Sequence, residues 1–241
     1  MSPTTTTRPP RTRPAAGDLP ITFGGMPLVL LPERAVWRAD TRTLFVADTH
    51  WGKPATLRAG GIPVPGGTTA ADLARLSAAL ERTEATRLVV LGDLLHARLG
   101  RDERATVDAI EAWRAAHADL RIDLVEGNHD RGAGGVPPGW DITTLPDPTP
   151  DEGQMLRHVP DPHPDGPVLA GHEHPAVRLD GPGGERLKLP CFRLAPRVLT
   201  LPAFSGFADG GTIRPGRAER ICVVADGEVI DITPAPPTHP R

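Results

Sequence analysis

The chain is short of several things, and each shortage removes a class of explanation. Lysine occurs only at Lys53 and Lys188 in a sequence carrying 27 Lys and Arg residues. Basic charge is therefore almost wholly arginine, so any local phosphate contact would favour planar guanidinium forks. Nor is there an excess of it. The formal net charge is -3 and the sequence pI about 6.3, which argues against a protein that coats duplex nucleic acid with a basic surface. Cysteine is limited to Cys191 and Cys222, each inside an apolar run (189–192 and 221–224). That placement suits buried free thiols better than a disulfide or a metal pair. No apolar run approaches the length of a membrane helix, and no charged start followed by an apolar segment marks an export signal. A soluble cytoplasmic protein is the expectation.

At 241 residues the chain is long enough for one α/β domain with a substantial core. Residues 1–19 are rich in Pro, Thr and Arg, and 234–241 in Pro, so both are expected as disordered tails around a single domain at 20–233. Runs 28–31 and 35–37 read as a strand hairpin. Residues 43–47, 88–91 and 122–125 read as short buried strands. Between them, a Gly/Pro loop at 60–67 precedes Thr69 to Asp72, which fits a capping box. Leu73, Leu76 and Leu80 follow at helical spacing, and Val107, Ile110 and Trp113 mark a second amphipathic helix closing near His117. His117 is expected to sit favourably at that helix's C-terminus. Strand, helix, strand, helix, strand requires parallel strands and right-handed crossovers. Residues 131–150 read as a surface loop around Trp140. Short strand-like runs then continue to 230, implying a second sheet packed on the first.

Chemistry-bearing residues punctuate the strand ends: Asp48-Thr49-His50, Gly92-Asp93, Gly127-Asn128-His129-Asp130 and Gly171-His172-Glu173-His174, with His158 as a single further candidate. In α/β folds, sites form at the carboxyl ends of strands. Two carboxylates (Asp48, Asp93), one amide (Asn128) and four imidazoles (His50, His158, His172, His174) form a mixed oxygen and nitrogen donor set without thiolate. Such a set suits manganese, iron or zinc better than calcium or magnesium. It is too large for one tetrahedral ion and suits two divalent ions sharing a carboxylate. Strand alternation predicts that residues i and i+2 converge on one ion in both Asp48-x-His50 and His172-x-His174.

As they stand, these clusters resemble the calcineurin-like metallophosphoesterase superfamily. Flanking segments His50-Trp51-Gly52-Lys53, Ala59 to Pro65, Gly92-Asp93-Leu94-Leu95-His96-Ala97-Arg98, Asn128-His129-Asp130-Arg131 and Leu189-Pro190-Cys191-Phe192 are similar to its ligase-associated DNA damage response endonuclease PdeM family. The resemblance implies an α/β fold of two packed sheets flanked by helices, an αββα sandwich. It implies one metal on Asp48, His50, Asp93 and His174 and a second on Asp93, Asn128, His158 and His172, with Asp93 bridging; His163 competes with His158. Manganese is the expected ion, with iron or zinc as alternatives. The implied reaction is in-line attack on a phosphodiester by a hydroxide shared between the ions. His129 would stabilise or protonate the leaving oxygen, and His96 would support it, a structural hydrogen bond being the other reading of His96. Thr49 and Trp51 depart from the family pattern, which bears on fine substrate choice.

The resemblance points to an endonuclease in DNA repair that acts on single-stranded or flapped DNA, linked to ligase or helicase partners. A phosphomonoesterase or small-nucleotide phosphodiesterase, and a non-catalytic binding platform, remain the alternatives. Arg98, Arg101, Arg104 and Arg131 are placed in loops after the site strands, where Arg98 and Arg131 would meet substrate phosphates or simply be solvated.

Overall fold

In the computed structural model, residues 14–233 are described, residue 182 apart. The expected tails at 1–13 and 234–241 therefore lie outside the described residues. Residues 14–18 are described and packed, against expectation: the Asp18 carboxylate pairs with Arg82 at 2.9 Å, and the Gly17 carbonyl accepts from the Val229 N–H at 2.9 Å.

The first sheet is laid down in chain order: β1 (Leu19–Phe23), β2 (Met26–Leu31), β3 (Ala35–Arg38), β4 (Thr43–Val46), β5 (Arg87–Val90), β6 (Arg121–Val125) and β7 (Thr143–Leu145). It is antiparallel from β1 to β4 and parallel from β4 to β7. Because every parallel strand is added on the same side, right-handed crossovers put the connecting helices on one face. The connections are α1 (Lys53–Ala59) and α2 (Thr68–Thr83), then α3 (Arg98–Asp102) and α4 (Arg104–Ala116), then α5 (Asn128–Ala133) with a 3-10 turn at Pro138–Trp140.

The period-two pattern of the strands sorts two cores. Leu44, Val46, Leu88, Val90, Ile122 and Leu124 pack with Leu73, Leu76, Leu80, Ile110 and Trp113 of the helices. Phe45, Ala47, Val89, Leu91 and Val125 point the other way, into a second core with Leu156, Leu169, Phe192, Leu199 and Cys222. Each such side chain is worth about 1.5–3 kcal/mol when fully buried, so a one-residue slip of a strand would be prohibitive.

The second core is closed by the nine-stranded sheet: β8 (Thr149–Asp151), β9 (Gln154–Leu156), β10 (Val168–Ala170), β11 (Pro175–Asp180), β12 (Arg186–Leu194), β13 (Val198–Thr200), β14 (Gly211–Thr212), β15 (Arg220–Ala225) and β16 (Glu228–Asp231). Its middle strands β9, β10 and β13 are parallel. The two sheets pack face to face as a sandwich, the arrangement that the resemblance implies. Both cysteines are buried free thiols on the paired strands β12 and β15, facing opposite sides of the sheet.

Several expectations fail for identifiable reasons. The capping box does not form: Gly67, in the left-handed region, precedes α2, and the Asp72 carboxylate is taken by the Gly206 N–H and Arg75. Trp140 is no surface residue. It is 1% exposed and stacks edge-on against Trp51, which also meets Trp113. The 131–150 segment accordingly contains β7 and part of α5. The arginines expected in loops stand on helices, Arg98 and Arg101 on α3, Arg104 at the start of α4 and Arg131 on α5. His117 does end α4, as expected, and its ring bonds Ser77 at 2.8 Å, with burial lowering its pKa from the usual histidine value.

Candidate metal centre

Five strands aim their carboxyl ends at one place: β4 delivers Asp48 and His50, β5 Asp93, β6 Asn128, β9 His158, and β10 His172 and His174. Main-chain bonds continue past the strand ends and fix these loops to one another, with Asp48 N–H to Gly92 carbonyl at 3.0 Å and His50 N–H to Asp93 carbonyl at 2.9 Å. Asp48, His50, Asp93, His172 and His174 all have φ between 45° and 73°. Left-handed backbone is uncommon for such residues, costing of order 1–3 kcal/mol each, and tends to gather where a site dictates side-chain direction. The glycines of the motifs make room: a Cβ on Gly92 would strike the His158 ring, and one on Gly127 the Asp93 carboxylate.

Three donor groups result, one of them His50 with His96 and His129. Asp48, His50 and His174 lie together, and so do Asp93, His158 and His172. Asn128 joins the second, its Oδ1 3.0 Å from His158 Nε2. The expectation for Asp48-x-His50 agrees with this grouping; that for His172-x-His174 does not. Both histidines have left-handed backbone in place of the pleat, and one ring goes to each of those two groups. His158 enters the second group, whereas His163 stands apart beside Asp165 at 3.6 Å.

Hydrogen-bond bookkeeping tests whether cations fit. His158 Nδ1 lies 3.1 Å from the Leu91 carbonyl, which can only accept, so Nδ1 carries the proton and Nε2 presents a lone pair. Around that Nε2 lie His172 Nδ1 and Asn128 Oδ1, each at 3.0 Å, and Asp93 Oδ1 at 3.5 Å. In the other group His50 Nε2 faces His174 Nε2 at 3.2 Å. Asp48 Oδ1 is buried without a well-formed hydrogen bond, its nearest polar hydrogen source being His174 Nε2 at 3.4 Å. Acceptor atoms converging with too few protons to share are what a buried polar cluster avoids unless a cation sits among them. The residues fit two divalent ions.

The electrostatics agree. Burial pushes the Asp93 carboxyl above its ordinary value, and the nearby Asp48 charge adds to that. Burial, then His174, Lys53 and other neighbours, drive the His50 imidazole down to about 2, which keeps it an uncharged donor. For His174 burial acts downward too, but the hydrogen bond and charge of Asp48 outweigh it and raise the pKa.

His129 stands at the rim. Its N–H donates to Asp93 Oδ1 at 2.9 Å, and its Nδ1 lies 2.8 Å from the His96 carbonyl, so Nδ1–H donates there and Nε2 is turned to the cavity. His96 touches His129 through that carbonyl and through its ring, stacked on His129 with centroids 4.9 Å apart. Burial, then Lys53, lower the His96 pKa to about 4. Of the expected substrate arginines, the side chain of Arg98 is 77% exposed near Asp102, and Arg131 is exposed and bonds the Glu126 carbonyl.

Sequence reasoning missed two residues here. Asp130 is fully buried and accepts from the Gly127 and Leu95 N–H groups, so the fourth residue of Gly127-Asn128-His129-Asp130 braces the loop. Lys53 reaches the charge environment of His50, His96 and His174; its advance signals were its place in the His50-Trp51-Gly52-Lys53 segment and its being one of two lysines. Thr49 and Trp51, read as bearing on substrate choice, are instead structural: Thr49 donates to the Leu94 carbonyl and Trp51 fills the helix-side core.

No protein-family model and no curated protein sequence matches the chain. Among solved structures it is similar to the Pseudomonas putida nuclease MPE, with 40% identity over 89% of this chain and 100% of that one, at a TM-score of 0.79. A fainter similarity, to the E. coli phosphoesterase Yfce, has 17% identity over 78% of this chain and 96% of that one; its TM-score of 0.38 is too low to bear on fold or activity.

Proposed function

From the premise that the chain belongs to the calcineurin-like metallophosphoesterases and is a metal-dependent phosphoesterase, we propose that it is a phosphodiesterase acting on DNA, an endonuclease serving DNA repair. The observation that carries this reading is the convergence of proton-poor donors on two adjoining points beneath His129 Nε2. Its likeness to a protein described as a nuclease supports the choice of a nucleic acid.

Asp48, His50 and His174 would hold one divalent ion, and Asn128, His158 and His172 the other, with Asp93 between them. When bound, such a pair supplies a water of lowered pKa and a clamp on the phosphoryl oxygens. The chain's own residues do the rest. The Leu91 carbonyl fixes the His158 tautomer, and the His172 N–H at 2.8 Å aims Asp48 Oδ2. His129, oriented by the His96 carbonyl, presents Nε2 to the departing oxygen, where the charged ring would deliver a proton, a role typically worth about 10²–10⁴ in rate. Manganese is the proposed metal, single-stranded or flapped DNA the proposed polymer, and a ligase or helicase the proposed functional partner. Among the described residues no helix is long and apolar enough to cross a membrane.

The test is purified protein with manganese, offered matched aryl phosphate diesters and monoesters, with His129→Ala beside wild type. Aryl diester turnover by wild type, reduced in the variant by less than its loss on DNA, is the expected result, followed by cutting of single-stranded or flapped DNA over duplex. Monoester turnover alone would move the assignment to a phosphomonoesterase. Inactivity with manganese, iron and zinc would leave a binding platform.

A further inference from the structure

A cavity of about 140 Å³ opens beside His174, walled by Arg34, Lys188, Pro190, Ala203 and Gly206. Arg34 projects from the turn between β2 and β3, half-buried, and donates from one terminal nitrogen to the Ala203 carbonyl at 3.3 Å and the Ser205 carbonyl at 3.1 Å. Among the described residues no carboxylate lies within ion-pair distance of it. Asp72, the nearest acid in electrostatic reach, is already bound to Arg75 and the Gly206 N–H. Buried charge is normally paired, because desolvation without a partner is costly. Burial, with Arg75 adding to it, accordingly lowers the Arg34 pKa.

The same corner gathers both lysines of the chain. Lys188 lines the cavity and pairs with the exposed Asp209 at 2.5 Å, and Lys53 lies within the field of Asp209 from the helix side. Arg34 and Lys188 therefore share the cavity wall with one carboxylate, Asp209, which Lys188 takes, and Arg75 and Lys53 stand outside that wall. The cavity begins where a donor of the metal centre ends. What the corner lacks is an anion arriving from outside.

We propose that this cavity is a subsite for a backbone phosphate flanking the scissile one on a polynucleotide strand, with Arg34 and Lys188 as its contacts. The inference rests on the phosphodiesterase reading and deepens it: a flanking phosphate is present on a nucleic acid and absent from a small diester.

Two measurements on the full chain test it. The first is binding of a fluorescent oligothymidylate in chelator, followed against salt, for wild type, Arg34→Gln, Arg34→Lys and Lys188→Gln. Arg34→Gln should weaken binding about tenfold and reduce the salt slope by about 0.7, the value of one phosphate contact on a single strand. Arg34→Lys should keep the slope. Lys188→Gln, at an exposed position, guards against misreading a folding defect at Arg34. The second compares kcat/KM with manganese on a thymidine dinucleotide and on the same dinucleotide with a terminal phosphate, each protein judged on its own pair. Wild type should gain about tenfold from the extra phosphate, mostly in KM, and Arg34→Gln should lose that gain. Unchanged binding in both Gln variants, or a gain independent of Arg34 and Lys188, would overturn the subsite while leaving the phosphodiesterase intact. Arg34-dependent binding with no cutting by wild type would uphold the subsite and sink the phosphodiesterase.

Discussion

The Asp48–His50–His174 corner and the Asp93–His158–His172 corner use the same donor chemistry at different depths. In the first, the aspartate and one histidine are buried and the second histidine is partly covered. In the second, His172 and Asn128 are exposed. Left-handed backbone serves both corners, but the first leaves His50 Nδ1 without a partner, whereas in the second His158 is locked on the Leu91 carbonyl. The contrast teaches that the corners differ in how far solvent reaches their last donor, His174 partly covered and His172 exposed.

The largest expected effect comes from the residue the corners share. Asp93→Asn should cut diester turnover by more than the about 10–100-fold that losing an outer hydrogen bond costs at a metal site, and should lower the metal content of both corners. Steady-state kinetics with elemental analysis checks this, and a variant that stays active would make the corners independent. His129→Ala ranks next, with a fall of about 10²–10⁴ on DNA and a smaller one on an aryl diester, whose leaving oxygen needs no proton. Equal losses on both would remove the proton-donor role.

Release of bound metal to a chelator probes the contrast itself. It should be biphasic in wild type, with rates about 10–100-fold apart. His50→Ala should abolish the slow phase and His172→Ala the fast one; a single phase in wild type would erase the distinction. The smallest effect is on acid stability without metal. His50 and His96 have folded pKa values below the ordinary 6.5, so their contribution is present above 6.5 and is lost as pH falls, toward about 4 for His96 and about 2 for His50. His174, with a raised pKa, opposes this. The melting temperature in chelator should fall as pH drops below 6.5, and His96→Asn should flatten the fall.

Legibility in the sequence follows the same physics. The donors were readable because each ends a short apolar run, so Asp48, Asp93 and Asn128 could be placed at strand ends without coordinates. His158 was harder to place, having only the brief run 155–156 before it. What could not be read was decided by distant partners. Asp72 looked like a cap until Gly206, far along the chain, claimed its carboxylate. Trp140 looked exposed within a Gly/Pro-rich stretch because its cover, Trp51, comes from another loop. The partition of His172 and His174 was legible only through the family resemblance, because strand alternation alone predicts that the two converge.

The aromatic contact between Trp51, Trp113 and Trp140 has a practical consequence. The sequence contains four tryptophans and no tyrosine, so its near-ultraviolet emission is pure indole. Trp51 follows His50 directly and touches both of the other rings, which makes this cluster a built-in optical gauge. Filling or emptying the Asp48–His50–His174 corner should change its intensity in real time, with no dye attached and no turnover required.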